Sequence, residues 1–209
     1  LSAAIGEIMR AAPVIPVLVI EDAAQALPLA EALVGGGLRV LEVTLRTPAA
    51  LDAIRAMKQV PGVIVGAGTV TNPKELDAAI VAGSEFIVSP GLTDNLGKAA
   101  IASGIPFLPG IATAGDIMRG LDLGLTHFKF FPAMAAGGIP ALKALAGPFG
   151  QCRFCPTGGI TLETAPGWLA LDPVLCVGGS WMVPKGEPDY AKVAEAARAA
   201  SAIGKEPGA

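Results

Sequence analysis

Histidine is nearly absent from this chain, with one residue, His127, among 209. A multi-histidine metal centre is therefore not expected. Three cysteines are an odd number and too few for a disulfide framework, which fits a reducing compartment. Charged residues make up only 16% of the chain, against about 25% in an average domain. A net charge of −3 provides no general electrostatic footprint for nucleic acid, so no nucleic-acid partner is expected. A small anionic ligand needs only a few local charges. Long apolar runs are missing too: none reaches the ~18 residues of a membrane-spanning helix. The longest, Ala11–Ile20, carries two prolines. No membrane partner is expected. Residues 1–20 lack the basic, apolar and small-residue order of a secretory leader, and the expected location is cytoplasmic.

What the chain has in plenty is apolar residues, 52% of the total, which excludes a disordered chain. Glycine (27) and proline (18) are frequent but follow no triplet period, so they signal turns rather than collagen. Short β-branched and aromatic runs recur at intervals of 21 to 26 residues. They are Val14–Val19, Val40–Leu45, Ile64–Val70, Phe86–Ser89, Phe107–Ile111, Phe128–Phe131, Arg153–Pro156 and Val174–Val177. The interval suits one strand, one short helix and two tight loops. Between the runs lie helical patterns, such as Ala23–Val34 and Pro48–Met57, the second with Thr47 as a predicted N-cap. Asn72-Pro73 reads as a cap followed by proline at the first helical position. Gly83 and Gly104 fall where helices should stop.

Alternating strands and helices predict an α/β class protein with a parallel sheet. A doubly wound open sheet and a closed barrel both satisfy the pattern. Eight even units favour closure, which leaves no edge strands. The expectation is one domain over 1–209, a single (β/α)8 TIM barrel. Residues 1–12 form an extra N-terminal helix, Tyr190–Ile203 the last outer helix, and 204–209 a frayed tail.

Barrel active sites lie at the C-terminal ends of the strands, and polar residues cluster there. In His127-Phe128-Lys129-Phe130-Phe131, strand alternation places His127, Lys129 and Phe131 on one face. A lysine so flanked is hard to solvate, which disfavours its ammonium and favours a nucleophilic amine. The competing reading is a lysine paired with a carboxylate. Glu42, Thr44 and Arg46 share one face of the second run. Glu42 suits proton transfer and Arg46 suits two-pronged binding of a carboxylate, while a structural ion pair is the alternative. Thr157-Gly158-Gly159 and Gly178-Gly179-Ser180 end the seventh and eighth runs, where barrels commonly bind phosphate. Ordinary tight turns are the alternative there.

Other patterns fail. Gly66-Ala67-Gly68 lacks the third glycine of a dinucleotide fingerprint, and neither Gly-Lys pair continues into a P-loop. Cys152 and Cys155 have CxxC spacing, but an odd offset on a strand sends them to opposite faces. His127, Trp168 and Trp181 read as packing residues.

Taken together, five segments resemble the 2-keto-3-deoxy-6-phosphogluconate (KDPG) aldolase and 4-hydroxy-2-oxoglutarate (KHG) aldolase family. They are Leu41-Glu42-Val43-Thr44-Leu45-Arg46, Gly66-Ala67-Gly68-Thr69-Val70, Phe128-Lys129-Phe130-Phe131-Pro132, Phe154-Cys155-Pro156-Thr157-Gly158-Gly159 and Val177-Gly178-Gly179-Ser180-Trp181. The resemblance spans about Pro13 to Pro184. It implies a class I, metal-free and cofactor-free lyase, usually a homotrimer, of the Entner–Doudoroff pathway. Its substrate would be a phosphorylated 2-keto sugar acid, cleaved to pyruvate and glyceraldehyde 3-phosphate. The resemblance makes Lys129 the Schiff-base residue and Glu42 the proton relay. It gives Arg46 and Thr69 to substrate positioning, and Phe131 and Pro90 to the pyruvate pocket. It assigns Thr157, Gly158, Gly159, Gly179 and Ser180 to the phosphate or far end. One departure is Met134-Ala135-Ala136, where many relatives carry polar residues, so this loop lacks those polar side chains. The alternatives are cleavage of 4-hydroxy-2-oxoglutarate as the main activity, and a metal-free phosphate-binding isomerase with Glu42 as base.

Overall fold

The computed structural model describes residues 2–204. Helix α1 (Ser2–Arg10) precedes β1 (Val14–Leu18), and a 3-10 turn (Ala23–Gln25) leads into α2 (Ala26–Gly35). The alternation continues through β2 (Val40–Thr44), α3 (Ala50–Met57), β3 (Ile64–Gly68), α4 (Pro73–Val81), β4 (Phe86–Val88) and α5 (Asp94–Ser103). Two short segments, β5 (Phe107–Leu108) and β6 (Gly110–Ile111), flank Pro109. Then come α6 (Ala114–Asp122), β7 (His127–Phe130), α7 (Gly138–Ala146), β8 (Arg153–Pro156), α8 (Ala165–Leu169), β9 (Val177–Gly179) and α9 (Tyr190–Ser201). Leu1 of the expected first helix, and 205–209 of the expected tail, lie outside the described residues.

Every strand pair is parallel, giving an α/β fold with curled parallel sheet. The strands form a six-stranded sheet in the order β5-β4-β3-β2-β1-β9 and a three-stranded sheet in the order β6-β7-β8. One run expected as a single strand, Phe107–Ile111, is thus divided between the two sheets. Pro109 has no N–H to continue a ladder, and its carbonyl accepts from Lys129 N–H at 2.9 Å. Isolated bridges pair Phe154 with Val174 and Thr157 with Gly178. The last expected strand therefore begins as a single bridge at Val174 and becomes regular only at Val177.

Strands of parallel sheets are covered on both sides, and all five residues of β2 are buried. The apolar interior divides accordingly. The larger cluster lies between strands and helices, with Val43, Ala67, Phe128 and Phe154 among its members. A smaller one gathers Ile15, Val40, Phe86, Val88, Leu108, Cys155 and Cys176 with Ile5 and Met9 of α1. Val40 and Phe86 open β2 and β4, so α1 covers the end of the sheet where those strands begin.

Local signals set several of the helix ends. Asn72 Oδ1 accepts from Glu75 N–H at 3.0 Å, and Pro73 takes the first helical position of α4. Gly104 ends α5 in the left-handed conformation at φ 74°. Thr47 does not cap α3, which starts after Ala49 without a side-chain cap. Its hydroxyl donates instead to the carbonyl of Ile20, tying the loop after β2 to the loop after β1. No helix among the described residues is long and apolar enough to cross a membrane.

Candidate active site

Lys129 is the third residue of β7, and Glu42 is the third residue of β2. They belong to different sheets and are 87 positions apart in the chain, yet Lys129 Nζ donates to Glu42 Oε1 at 3.1 Å. The two side chains are only 7% and 5% exposed. Both readings drawn from the sequence meet in this contact: the lysine is buried among aromatic residues and it is paired. Phe131 adds its ring face, with Nζ 5.4 Å from the centroid.

Gly68 makes the carboxylate's position available. A Cβ at Gly68 would stand 2.7 Å from both Cγ and Cδ of Glu42 and closer still to Oε1. The next residue, Thr69, takes φ 58°, an uncommon conformation for a β-branched residue. Its Oγ1 accepts from Arg46 Nε at 3.2 Å, which orients the guanidinium just beyond the end of β2.

Lys129, Arg46 and Phe131 line a cavity of about 820 Å³ at the C-terminal ends of the strands. Thr157, Gly158, Gly159, Gly179 and Ser180 line it as well. Gly158 and Gly159 have φ of 109° and 75°, values that favour glycine. Ala133 N–H donates to Thr157 O at 2.8 Å and Met134 N–H to Gly158 O at 3.1 Å, which fixes this turn against the loop after β7. Gly178 lies directly under Thr157, and Gly179 under the Trp181 ring, in contacts that a Cβ would prevent.

Glu42, Pro90 and Thr69 are not on the cavity wall, and Glu42 meets the cavity through Lys129. Thr69 reaches the site through Arg46, while the carbonyl of Pro90 packs on the bare α-carbon of Gly110. Thr44, on the same face as Glu42, donates to Leu18 O at 2.9 Å and so ties β2 to β1. Ser89 is likewise internal, donating to Gly91 O at 2.7 Å. Sequence reasoning missed Glu21 and Asp22 after β1, and Lys185 after β9, all of which line the cavity. Their signal was available, since each follows the C-terminal end of a strand.

The remaining titratable candidates lie elsewhere. His127, at the start of β7, meets Thr126 Oγ1 at 3.1 Å through Nδ1. Burial, with Arg10 and Arg153 nearby, holds its pKa below the usual histidine value. Cys155 belongs to the smaller interior cluster and Cys152 to the larger, on opposite sides of the sheet. The Cys176 thiol is pushed well above its ordinary range by its hydrogen bond with Cys155 and by burial. Among the described residues no three His, Cys, Asp or Glu side chains gather as a metal site.

A parallel α/β fold with a buried lysine–glutamate pair, whose lysine lines a cavity at the strand ends, defines an enzyme class that works from that face. The family is identified by sequence: residues 5–196 match the model of the KDPG and KHG aldolases, and the chain belongs to that family. It is 64% identical to the 2-dehydro-3-deoxy-phosphogluconate aldolase of Zymomonas mobilis, over 95% of this chain and 96% of that protein. The crystal structure of the 2-keto-3-deoxy-6-phosphogluconate aldolase of Zymomonas mobilis ZM4 with 3-phosphoglycerate superimposes with a TM-score of 0.96, at 62% identity and 97% of each chain. The KDPG aldolase of Legionella pneumophila, with pyruvate captured at low pH as a covalent carbinolamine intermediate, superimposes at 0.91. It is 48% identical and covers 94% of this chain and 98% of that one.

Proposed function

We propose that this protein is a class I aldolase that cleaves 2-dehydro-3-deoxy-6-phosphogluconate to pyruvate and D-glyceraldehyde 3-phosphate. The observation that carries the reading is the buried Lys129–Glu42 contact of 3.1 Å at the wall of the cavity. Glu42 takes a proton from Lys129 Nζ across that contact, and the free amine attacks the keto carbon of the substrate. Glu42 returns the proton as the carbinolamine loses water, leaving a protonated imine. Glu42 next removes the proton of the C4 hydroxyl. The C3–C4 bond breaks, its electrons enter the imine as an enamine, and the aldehyde product leaves. Protonation of the enamine carbon and hydrolysis release pyruvate and restore Lys129.

Arg46, oriented by Thr69, binds the substrate carboxylate through its planar fork of donors. Phe131 bounds the pyruvate end, and Pro90, off the cavity wall, supports it from behind by packing on Gly110. Gly158, Gly159, Gly179 and Ser180 supply backbone and hydroxyl donors for the phosphate, while Thr157, its own donors engaged with Phe130 O and Cys155 O, lines the substrate cavity. A substrate with a second carboxylate in that place, 4-hydroxy-2-oxoglutarate, is the second reading, favoured by the family's scope, which spans KDPG and KHG aldolases.

The same reading takes the chain as one domain, a closed eight-stranded barrel with α1 as an extra N-terminal helix. Its support is that β5 and β6 are one strand interrupted at Pro109, and that the isolated bridges join β8 to the segment leading into β9. A homotrimer in the cytoplasm, serving the Entner–Doudoroff pathway, completes it.

Borohydride reduction in the presence of pyruvate tests the chemistry. Mass spectrometry should find a reduced pyruvyl adduct on Lys129 and none in the Lys129→Ala variant. A folded wild-type protein that yields no adduct removes the imine mechanism and brings the isomerase reading forward.

A further inference from the structure

We propose that Lys185, in the loop after β9, holds the phosphate-bearing end of the substrate and sets the preference for phosphorylated over unphosphorylated sugar acids. This rests on the aldolase reading above and assigns a residue that the reading does not use.

Three cations line the cavity: Arg46, Lys129 and Lys185. Two are engaged, Lys129 with Glu42 and Arg46 with Thr69. Lys185 has no hydrogen bond or ion pair with any described residue. Acids are close at hand, since Glu187 is two positions on and Glu21 and Asp22 line the same cavity. Asp22 is occupied in accepting from Ala24 N–H at 2.9 Å. Elsewhere among the described residues Lys58, Lys98 and Lys192 each pair with a carboxylate, while Lys74 and Lys143 are unpaired like Lys185 but do not line this cavity. Lys185 thus stands as an uncommitted ammonium on the wall that also holds Gly179 and Ser180.

The chemistry of a phosphate monoester matches that position. It carries roughly −1.5 to −2 charge near neutral pH, and glycine-turn N–H groups orient it without neutralising it. Lysine supplies the missing point charge on a flexible stem. With Lys129 matched by Glu42, loss of Lys185 would leave Arg46 alone against the two lining acids, Glu21 and Asp22. Because Lys185 is exposed, the attraction is open to screening by salt.

The test compares kcat/KM for the phosphorylated sugar acid with that for the same acid lacking its phosphate, in wild type, Lys185→Gln and Lys185→Arg. The ratio of the two should fall about tenfold in Lys185→Gln, through KM more than kcat, and Lys185→Arg should restore most of it. Inorganic phosphate should inhibit Lys185→Gln more weakly than wild type, and the difference should shrink as salt rises. An unchanged ratio, or an equal loss on both substrates, overturns the role. Borohydride trapping with pyruvate separates the failures. An adduct with an unchanged ratio removes Lys185 alone, whereas no adduct in wild type removes the aldolase reading and this proposal with it.

Discussion

Replacing Gly68 with alanine should damage catalysis in a protein that still folds, because the added methyl lands on Glu42. A Cβ there lies 2.7 Å from Glu42 Cγ and Cδ. Carbon atoms settle at about 3.5–4.0 Å, so the carboxylate must retreat by roughly 1 Å. The 3.1 Å contact from Lys129 Nζ to Oε1 then stretches beyond hydrogen-bond range. Gly68 is not among the glycines with positive φ, so the alanine backbone itself is unstrained. The displaced group is the end of a flexible side chain, and the stability cost should stay within about 1–3 kcal/mol. Misplacing a catalytic group by about 1 Å costs on the order of 100-fold in rate, or about 2.7 kcal/mol in the activation free energy of the reaction. The assay follows pyruvate release with lactate dehydrogenase, alongside urea denaturation to monitor folding. The decisive comparison is Glu42→Ala against Glu42→Ala/Gly68→Ala. If Gly68 acts through Glu42, the double variant is no slower than Glu42→Ala alone. Full activity in Gly68→Ala, or independent losses that multiply in the double variant, would refute the reasoning.

Removing one member of the buried pair should cost more stability than removing both. Lys129→Met leaves Glu42 buried without its partner and should lose about 3–5 kcal/mol, while Lys129→Met/Glu42→Leu recovers a large part of that, as read from denaturant midpoints. His127 should give a pH-dependent term at the other end of the sheet. Burial, with Arg10 and Arg153 facing it, lowers its pKa from 6.5, so the unfolded chain binds its proton more readily. The native state therefore loses stability as pH falls below about 6.5. His127→Gln should flatten the decline in urea midpoint between about pH 6.5 and 5, and an unaltered slope would show that His127 does not cause it.

Much of this arrangement was legible because strand alternation is a local property. His127-Phe128-Lys129-Phe130 and Val40-Leu41-Glu42-Val43-Thr44 reveal which side chains share a face, and the glycine pairs stand where two runs end. What sequence could not supply is register between distant strands. Nothing near Gly68 announces that its missing side chain is space for Glu42, 26 positions earlier. Thr47 looked like a cap because its local pattern fits one, but a carbonyl from the loop after β1 took its hydroxyl. Pro109 was visible within an apolar run, and its consequence depended on two neighbours wanting different partners: β5 pairs with β4, while β6 pairs with β7. Lys185 lies in a loop with no periodic pattern; its one signal was its place after β9, and the cavity makes that signal specific.

The Lys129–Glu42 contact spans the two sheets, and this makes it a late event in the life of the chain. Closing a loop of 87 residues carries an entropic cost that nearby contacts do not. A nascent polypeptide has Glu42 long before Lys129 emerges, and a fragment ending before β7 holds one half of the buried pair without the other. Pyruvate trapping is consequently a timer as well as a chemical assay. Imine formation during refolding would report when the first and second halves of the molecule have found each other, a moment that helix content registers poorly.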